Sequence, residues 1–371
     1  MDPLLLWLSG GPGCSALVAI FYDFGPCAFD VENFDGSLPS FILNPYSWTK
    51  VANIIFIDAP VGTGFSYAKT SQGYSSSDNK SAKDIFTFLK KWLLNHPMFL
   101  KNRLYIGGES YGGKLVPMIA MEILRVLLKL KQGYIIGNGL TDSNIDFNAR
   151  IPYAHRMALI SDEYFDSAKI NCDGKYYNHD PNNLECTNAL QRIQECLSHI
   201  NQLQILDPKC GNKAPKPDDF GWDQTFSNDN SIDRLDLPST DQECHIQNYS
   251  ASNAWANDQT VQEALHIRKG TITRWRTCSD LISYNQNVES ALEYHKVLIK
   301  KGYHVLVFNG DHDMAAPYMG PLKWFRTLNL TIDDNWRPWL VNGQGAGHTS
   351  SSYKPKECLT MLHHWLSRRP V

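Results

Sequence analysis

The run Tyr105-Ile106-Gly107-Gly108-Glu109-Ser110-Tyr111-Gly112-Gly113 sets one serine among glycines. Its centre, Gly108-Glu109-Ser110-Tyr111-Gly112, has the form G-x-S-x-G. An apolar run precedes it and a helix-like run follows, the context of a sharp turn that presents a serine hydroxyl. Such a turn strains the backbone and admits only small flanking residues. It also sets Ser110 at a helix N-terminus, where the peptide dipoles favour developing negative charge. A serine nucleophile needs a base, and the base needs an orienting carboxylate. His348, in Gly345-Ala346-Gly347-His348-Thr349, is the expected base. Asp311, in Asn309-Gly310-Asp311-His312-Asp313, is the expected acid. His312 and Asp313 read as its solvated neighbours rather than as metal ligands. His96 and His295 read as helix-face or surface residues. A third segment, Trp7-Leu8-Ser9-Gly10-Gly11-Pro12-Gly13-Cys14-Ser15, places a glycine pair after an apolar run. Exposed amides there, with the amide after the nucleophile, can hold an oxyanion, which nominates Gly11 and Tyr111.

These residues need elements to carry them. Short apolar runs at 4–8, 53–58, 103–107, 134–137 and 304–309 lack helical periodicity and read as buried parallel strands. Between them, residues 84–94 put Ile85, Phe88, Leu89 and Trp92 on one face, with Pro97 as a stop. Residues 115–130 form a second apolar helix. The alternation predicts an α/β domain with a mostly parallel central sheet flanked by helices. The chain order serine, aspartate, histidine is that of the α/β-hydrolase fold. Order breaks after about residue 150. The expected division is a core over 1–160, an inserted cap over 161–254 and the rest of the core over 255–371. Within the cap, an acidic, Asn/Asp/Pro-rich stretch at 214–243 reads as a loop.

The bulk properties are compatible with this reading without demanding it. The chain has 371 residues, 43% hydrophobic and 20% charged, enough for a substantial core. A formal net charge of -3 gives no reason to expect nucleic acid or an anionic membrane as partner. Nine cysteines occur without a CxxC pair, which disfavours a zinc ribbon or a thioredoxin-like motif. Their crowding between 172 and 244 fits disulfides and an oxidising compartment. Sequons at Asn79, Asn248 and Asn329 agree with export. Met1-Asp2-Pro3-Leu4 has no basic n-region and is no signal peptide. No cofactor or metal is called for, and oligomeric state is not legible.

Four segments together resemble the serine carboxypeptidase family nearly end to end. They are Leu6-Trp7-Leu8-Ser9-Gly10-Gly11-Pro12-Gly13-Cys14-Ser15, Asp58-Ala59-Pro60-Val61-Gly62-Thr63-Gly64-Phe65-Ser66-Tyr67, Gly108-Glu109-Ser110-Tyr111-Gly112-Gly113 and Gly347-His348-Thr349. Three more are similar to the plant branch that includes acyltransferases using glucose esters. They are Ala264-Leu265-His266-Ile267-Arg268-Lys269-Gly270, Gly310-Asp311-His312-Asp313-Met314 and Trp336-Arg337-Pro338-Trp339-Leu340-Val341-Asn342-Gly343-Gln344. The resemblance implies disulfides Cys14–Cys278, Cys172–Cys186 and Cys210–Cys244, with Cys27, Cys196 and Cys358 free. It implies a secreted or vacuolar enzyme, and a 214–243 loop where some members are cut into two chains.

The resemblance also frames the substrate question. Ser110, His348 and Asp311 would form an acyl-enzyme in either a peptidase or an acyltransferase, so the triad does not separate them. Peptidases of the family hold a substrate carboxylate with an asparagine before the glycine pair and a glutamate before the serine. Here Ser9 replaces the asparagine, Gly10 follows it, and Glu109 is retained; these three are the expected substrate-binding residues. The branch-specific segments favour acyl transfer from a glucose ester to an acceptor, with release of C-terminal amino acids from peptides at acidic pH as the alternative. Two departures from the family stand out. The family has a further stretch with strands ahead of the Trp7-Leu8 strand. It also has a strand-rich segment before the histidine loop, where here Gly345 follows Gln344 directly. Trp339-Leu340-Val341 is the only replacement in sight for the strand that aims His348. A truncated, catalytically impaired member acting as a binding module is therefore a third expectation.

Overall fold

The computed structural model describes residues 2–126, 133–209, 249–279, 282–333 and 348–368. Five strands make the central sheet. They are β1 (Leu4–Leu8), β2 (Asn53–Ile57), β3 (Leu104–Glu109), β4 (Gly133–Gly137) and β5 (His304–Phe308). All neighbours are parallel, in the order β2-β1-β3-β4-β5. The five apolar runs of the sequence are these five strands. β1, β3 and β4 are buried along their whole length, as continuous rather than alternating apolar runs require.

Side chains of successive strand residues go to opposite faces. Leu4, Leu6, Leu8, Ile106, Tyr134 and Ile136 face one hydrophobic cluster. Helices α1 (Asp78–Asn95) and α2 (Gly112–Val126) close that side with Ile85, Leu89, Leu115 and Ile119. Leu5, Trp7, Tyr105 and Ile135 face the other cluster with Phe24, Trp48, Leu362 and Trp365. Trp7 meets the rings of Phe24 and Trp48 edge-on at 4.7 and 5.3 Å. Each such buried apolar side chain contributes about 1.5–3 kcal/mol of transfer free energy. A methyl at Gly107 would lie 2.6 Å from the Trp7 ring, so β3 carries glycine where a neighbouring strand sends its largest side chain.

Helix α1 starts six residues before the expected 84–94 pattern, because Ser77 caps it by accepting from the Lys80 amide. A third cluster begins at Ile151 and runs through Ala168, Cys186, Leu190 and Ile193 to Leu197. It is stapled by Cys172–Cys186. Cys14–Cys278 is the second disulfide, and Cys27, Cys196 and Cys358 are free. Cys210, Cys244, Asn248, the 214–243 stretch and Trp339-Leu340-Val341 lie outside the described residues. Asn79 and Asn329 are exposed. Among the described residues no strand follows Phe308, and no helix is long and apolar enough to cross a membrane.

Candidate active site

β3 ends at Glu109 and α2 begins at Gly112, so Ser110 occupies the corner between them. Its φ of 52° is in the left-handed region, unusual for a residue with a side chain and costly unless its surroundings hold it. The Ser110 amide donates to Gly137 O at 3.2 Å, while its carbonyl accepts from Gly113 N at 3.0 Å and Leu140 N at 2.9 Å. A methyl at Gly10 would come within 2.5 Å of Ser110 Cβ, which brings the glycine-pair loop directly against the serine. Ser110 Oγ is buried and has no partner among the described residues. The same is true of Ser9 Oγ.

The structure places Asp313, not Asp311, against His348. His348 Nδ1 lies 2.7 Å from Asp313 Oδ2. The Asp313 side chain is wholly buried and also accepts from Asn138 Nδ2 at 2.9 Å, Ala315 N at 2.8 Å and Ala316 N at 3.0 Å. Asp311 is exposed, and its carbonyl accepts from the Tyr153 hydroxyl at 2.7 Å. The reason is local. β5 ends at Phe308, and the turn after it faces solvent at 311 before going inward at 313. The buried run Met314-Ala315-Ala316 directly after Asp313 is the sequence signal that separates the two acids. Arg150, itself buried, secures this turn by donating through Nε and Nη2 to Ala315 O at 2.9 and 2.7 Å. Desolvation lowers the Arg150 pKa to about 10, against the opposing pull of the Asp313 and Asp146 carboxylates. The His348 amide is anchored on Leu203 O at 2.7 Å.

Gly11 has φ 110°, and the loop it belongs to is held at several points. Cys14 is bonded to Cys278, and Ser15 N donates to Thr277 O at 2.8 Å. Asp58 accepts from Ser15 Oγ at 2.7 Å, Ala16 N at 2.8 Å and Phe65 N at 2.9 Å. Burial raises the Asp58 pKa, and those three bonds oppose the rise. Tyr111 is fixed from behind. Its hydroxyl donates to the fully buried Asp78 at 2.5 Å, and Asp78 also takes Tyr284 OH at 2.9 Å and Val288 N at 2.8 Å. Among the described residues, the amides of Gly11 and Tyr111 donate to no acceptor. Two amides flanking a strained serine suit a developing oxyanion.

One component escaped sequence reasoning altogether. Asp23 ends the short helix Ala19–Asp23 and is buried beside Glu109. Desolvation raises its pKa to about 6, while a bond from Ser352 Oγ and the nearby His348 pull the other way. Desolvation, with the Asp23 charge added, pushes the Glu109 carboxyl well above the usual range. Asp23 Oδ2 is buried with no partner among the described residues. Two buried carboxyls that repel each other hold a proton at acidic pH, and a protonated carboxyl can donate. The signal was a lone acid within the apolar run Ala19-Ile20-Phe21-Tyr22-Asp23-Phe24.

Comparison with known proteins agrees with this frame. The serine carboxypeptidase family model matches residues 1–368. Serine carboxypeptidase-like 7 and serine carboxypeptidase-like 17 of Arabidopsis thaliana are each 41% identical, over 100% of this chain and 84% of theirs. The solved structure of Kex1(delta)p, a prohormone-processing carboxypeptidase from Saccharomyces cerevisiae, superposes with a TM-score of 0.71 at 19% identity. It covers 99% of this chain and 83% of that one, and the shared fold is the α/β-hydrolase fold. The chain belongs to the serine carboxypeptidase family.

Proposed function

We propose that the protein works through an acyl-enzyme, with Ser110 as nucleophile, His348 as base and Asp313 as the orienting acid. The contact that carries this reading is the 2.7 Å approach of His348 Nδ1 to a wholly buried carboxylate. Ser110 Oγ bonds to the substrate carbonyl carbon as its proton passes to His348. Gly11 and Tyr111 amides hold the oxyanion. The tetrahedral intermediate then expels its leaving group, which takes the proton from the imidazolium. Water or an alcohol attacks the acyl-enzyme, His348 again takes the proton, and Ser110 is regenerated.

The substrate is recognised beside this triad. The buried pair Asp23 and Glu109 supports a substrate ending in a free carboxylate, which a protonated carboxyl can grip at acidic pH. The favoured reaction is therefore release of C-terminal amino acids from peptides. Acyl transfer from a glucose ester to an alcohol is the second reading. It is supported by Ser9, whose short side chain reaches less far than the amide it replaces. The segment 161–254 is proposed as a cap, supported by the hydrophobic cluster in which Ala168, Cys186, Leu190 and Ile193 pack with Ile151 and Met314. The disulfides Cys14–Cys278 and Cys172–Cys186 support residence in the secretory pathway, and the exposed Asn79 and Asn329 are proposed glycosylation sites.

The test is labelling with a fluorophosphonate, then turnover. Wild type should label and Ser110→Ala should not. Failure of folded wild type to label sinks both readings and leaves the impaired binding module. A blocked dipeptide at acidic pH should lose its C-terminal residue. Transfer from a glucose ester to an alcohol, without that release, would select the second reading.

A further inference from the structure

We propose that Asn138 is a positioning residue that sets the acid loop and the base loop in register with the nucleophile. The proposal rests on the acyl-enzyme reading above. Asn138 directly follows β4, is 1% exposed and has φ 44°, so a residue with a side chain is held in the left-handed region at the centre of the site. Its backbone amide donates to Phe308 O at 2.8 Å, at the end of β5. Its side-chain amide is engaged at both ends. Oδ1 accepts from Gly310 N at 3.3 Å and from Ser350 Oγ at 2.7 Å. Nδ2 donates to Asp313 Oδ2 at 2.9 Å.

The Gly310 contact settles which end of the amide faces which neighbour. A backbone N–H can only donate, so the oxygen faces Gly310 and the nitrogen faces Asp313. Asp313 Oδ2 therefore receives two donors, Asn138 Nδ2 and His348 Nδ1. Ser350 is two residues past His348, so its bond to Oδ1 ties the base loop to the same amide. The preceding and following residues complete the set. Gly137 O accepts from Ser110 N, and Leu140 N donates to Ser110 O. Residues 137–140 thus touch the nucleophile backbone, the acid and the base loop.

The test uses the full chain and the variants Asn138→Asp, Ser350→Ala and Ser350→Thr. Asn138→Asp replaces the donor to Asp313 by an acceptor and adds negative charge within the ~4–6 Å over which charge favours the imidazolium. The pH at which fluorophosphonate inactivation turns on should rise by at least about half a unit, because the base must be neutral to act. Ser350→Ala should lower kcat by about fivefold or more with KM within about twofold, and Ser350→Thr should restore it. An NMR titration of His348 in the same proteins reads the shift without turnover. If wild type proves inactive but the titration still moves in Asn138→Asp, the acyl-enzyme reading fails and the clamp stands. An unmoved titration in folded Asn138→Asp, or Ser350→Ala that only lowers the melting temperature, overturns the clamp.

Discussion

Replacing Asp23 by asparagine separates charge from shape in the carboxyl pair. The Asp23 pKa is raised to about 6, roughly two units above that of a free aspartate, and each unit is worth about 1.4 kcal/mol. An acid whose folded pKa is raised stabilises the fold below its unfolded pKa and loses that contribution as pH climbs through the folded one. Asp23 alone should therefore remove about 3 kcal/mol of stability as pH rises from ~4 through 6, and Glu109, raised for the same reason, acts in the same direction. Asp23→Asn keeps an oxygen to accept from Ser352 Oγ and puts an NH2 where the unpartnered Oδ2 stood. Urea unfolding of both proteins from pH 4 to 7 measures the effect. Wild type should lose about 3 kcal/mol relative to the variant across that window. The KM for a carboxylate-ending substrate should climb above pH 6 in wild type and climb less in the variant, where Glu109 alone of the pair titrates. A stability difference that is constant from pH 4 to 7 would refute the buried-pair reasoning.

Two further outcomes follow from the site. Asp313→Asn should cut kcat by about 10³–10⁴ through the wrong histidine tautomer, whereas Asp311→Asn should stay within about twofold, both read with an ester substrate. Gly10→Ala forces a methyl to 2.5 Å from Ser110 Cβ, so fluorophosphonate labelling should be abolished while far-UV circular dichroism is retained.

The strands were legible because burial on both faces leaves a continuous apolar run, and Leu4-Leu5-Leu6-Trp7-Leu8 has no other use. Ser110 was legible because a left-handed corner between strand and helix has a local glycine signature. The carboxylate that meets His348 lies two residues past the expected one, since Asp311 and Asp313 share one turn and differ in which way the chain faces. Asp23, Asp78 and Asn138 were invisible for a different reason. Their partners are remote in sequence: Tyr284 and Val288 for Asp78, Ser352 for Asp23, Ser350 for Asn138. No local spacing encodes such meetings. The two described disulfides followed from family resemblance, not from any reading of cysteine spacing.

Cys14–Cys278 spans 264 residues of sequence and joins the glycine-pair loop to the chain shortly ahead of β5. It makes most of the molecule a single covalent ring. A protease that nicks the backbone anywhere between these two cysteines yields two polypeptides that still migrate as one until a reductant is added. The fragments would carry the proposed catalytic groups apart, Ser110 on the first and Asp313 with His348 on the second, for any cut after residue 110. In a two-chain form this bond keeps the fragments linked while the central sheet, with β1 to β3 on one fragment and β5 on the other, packs across the cut.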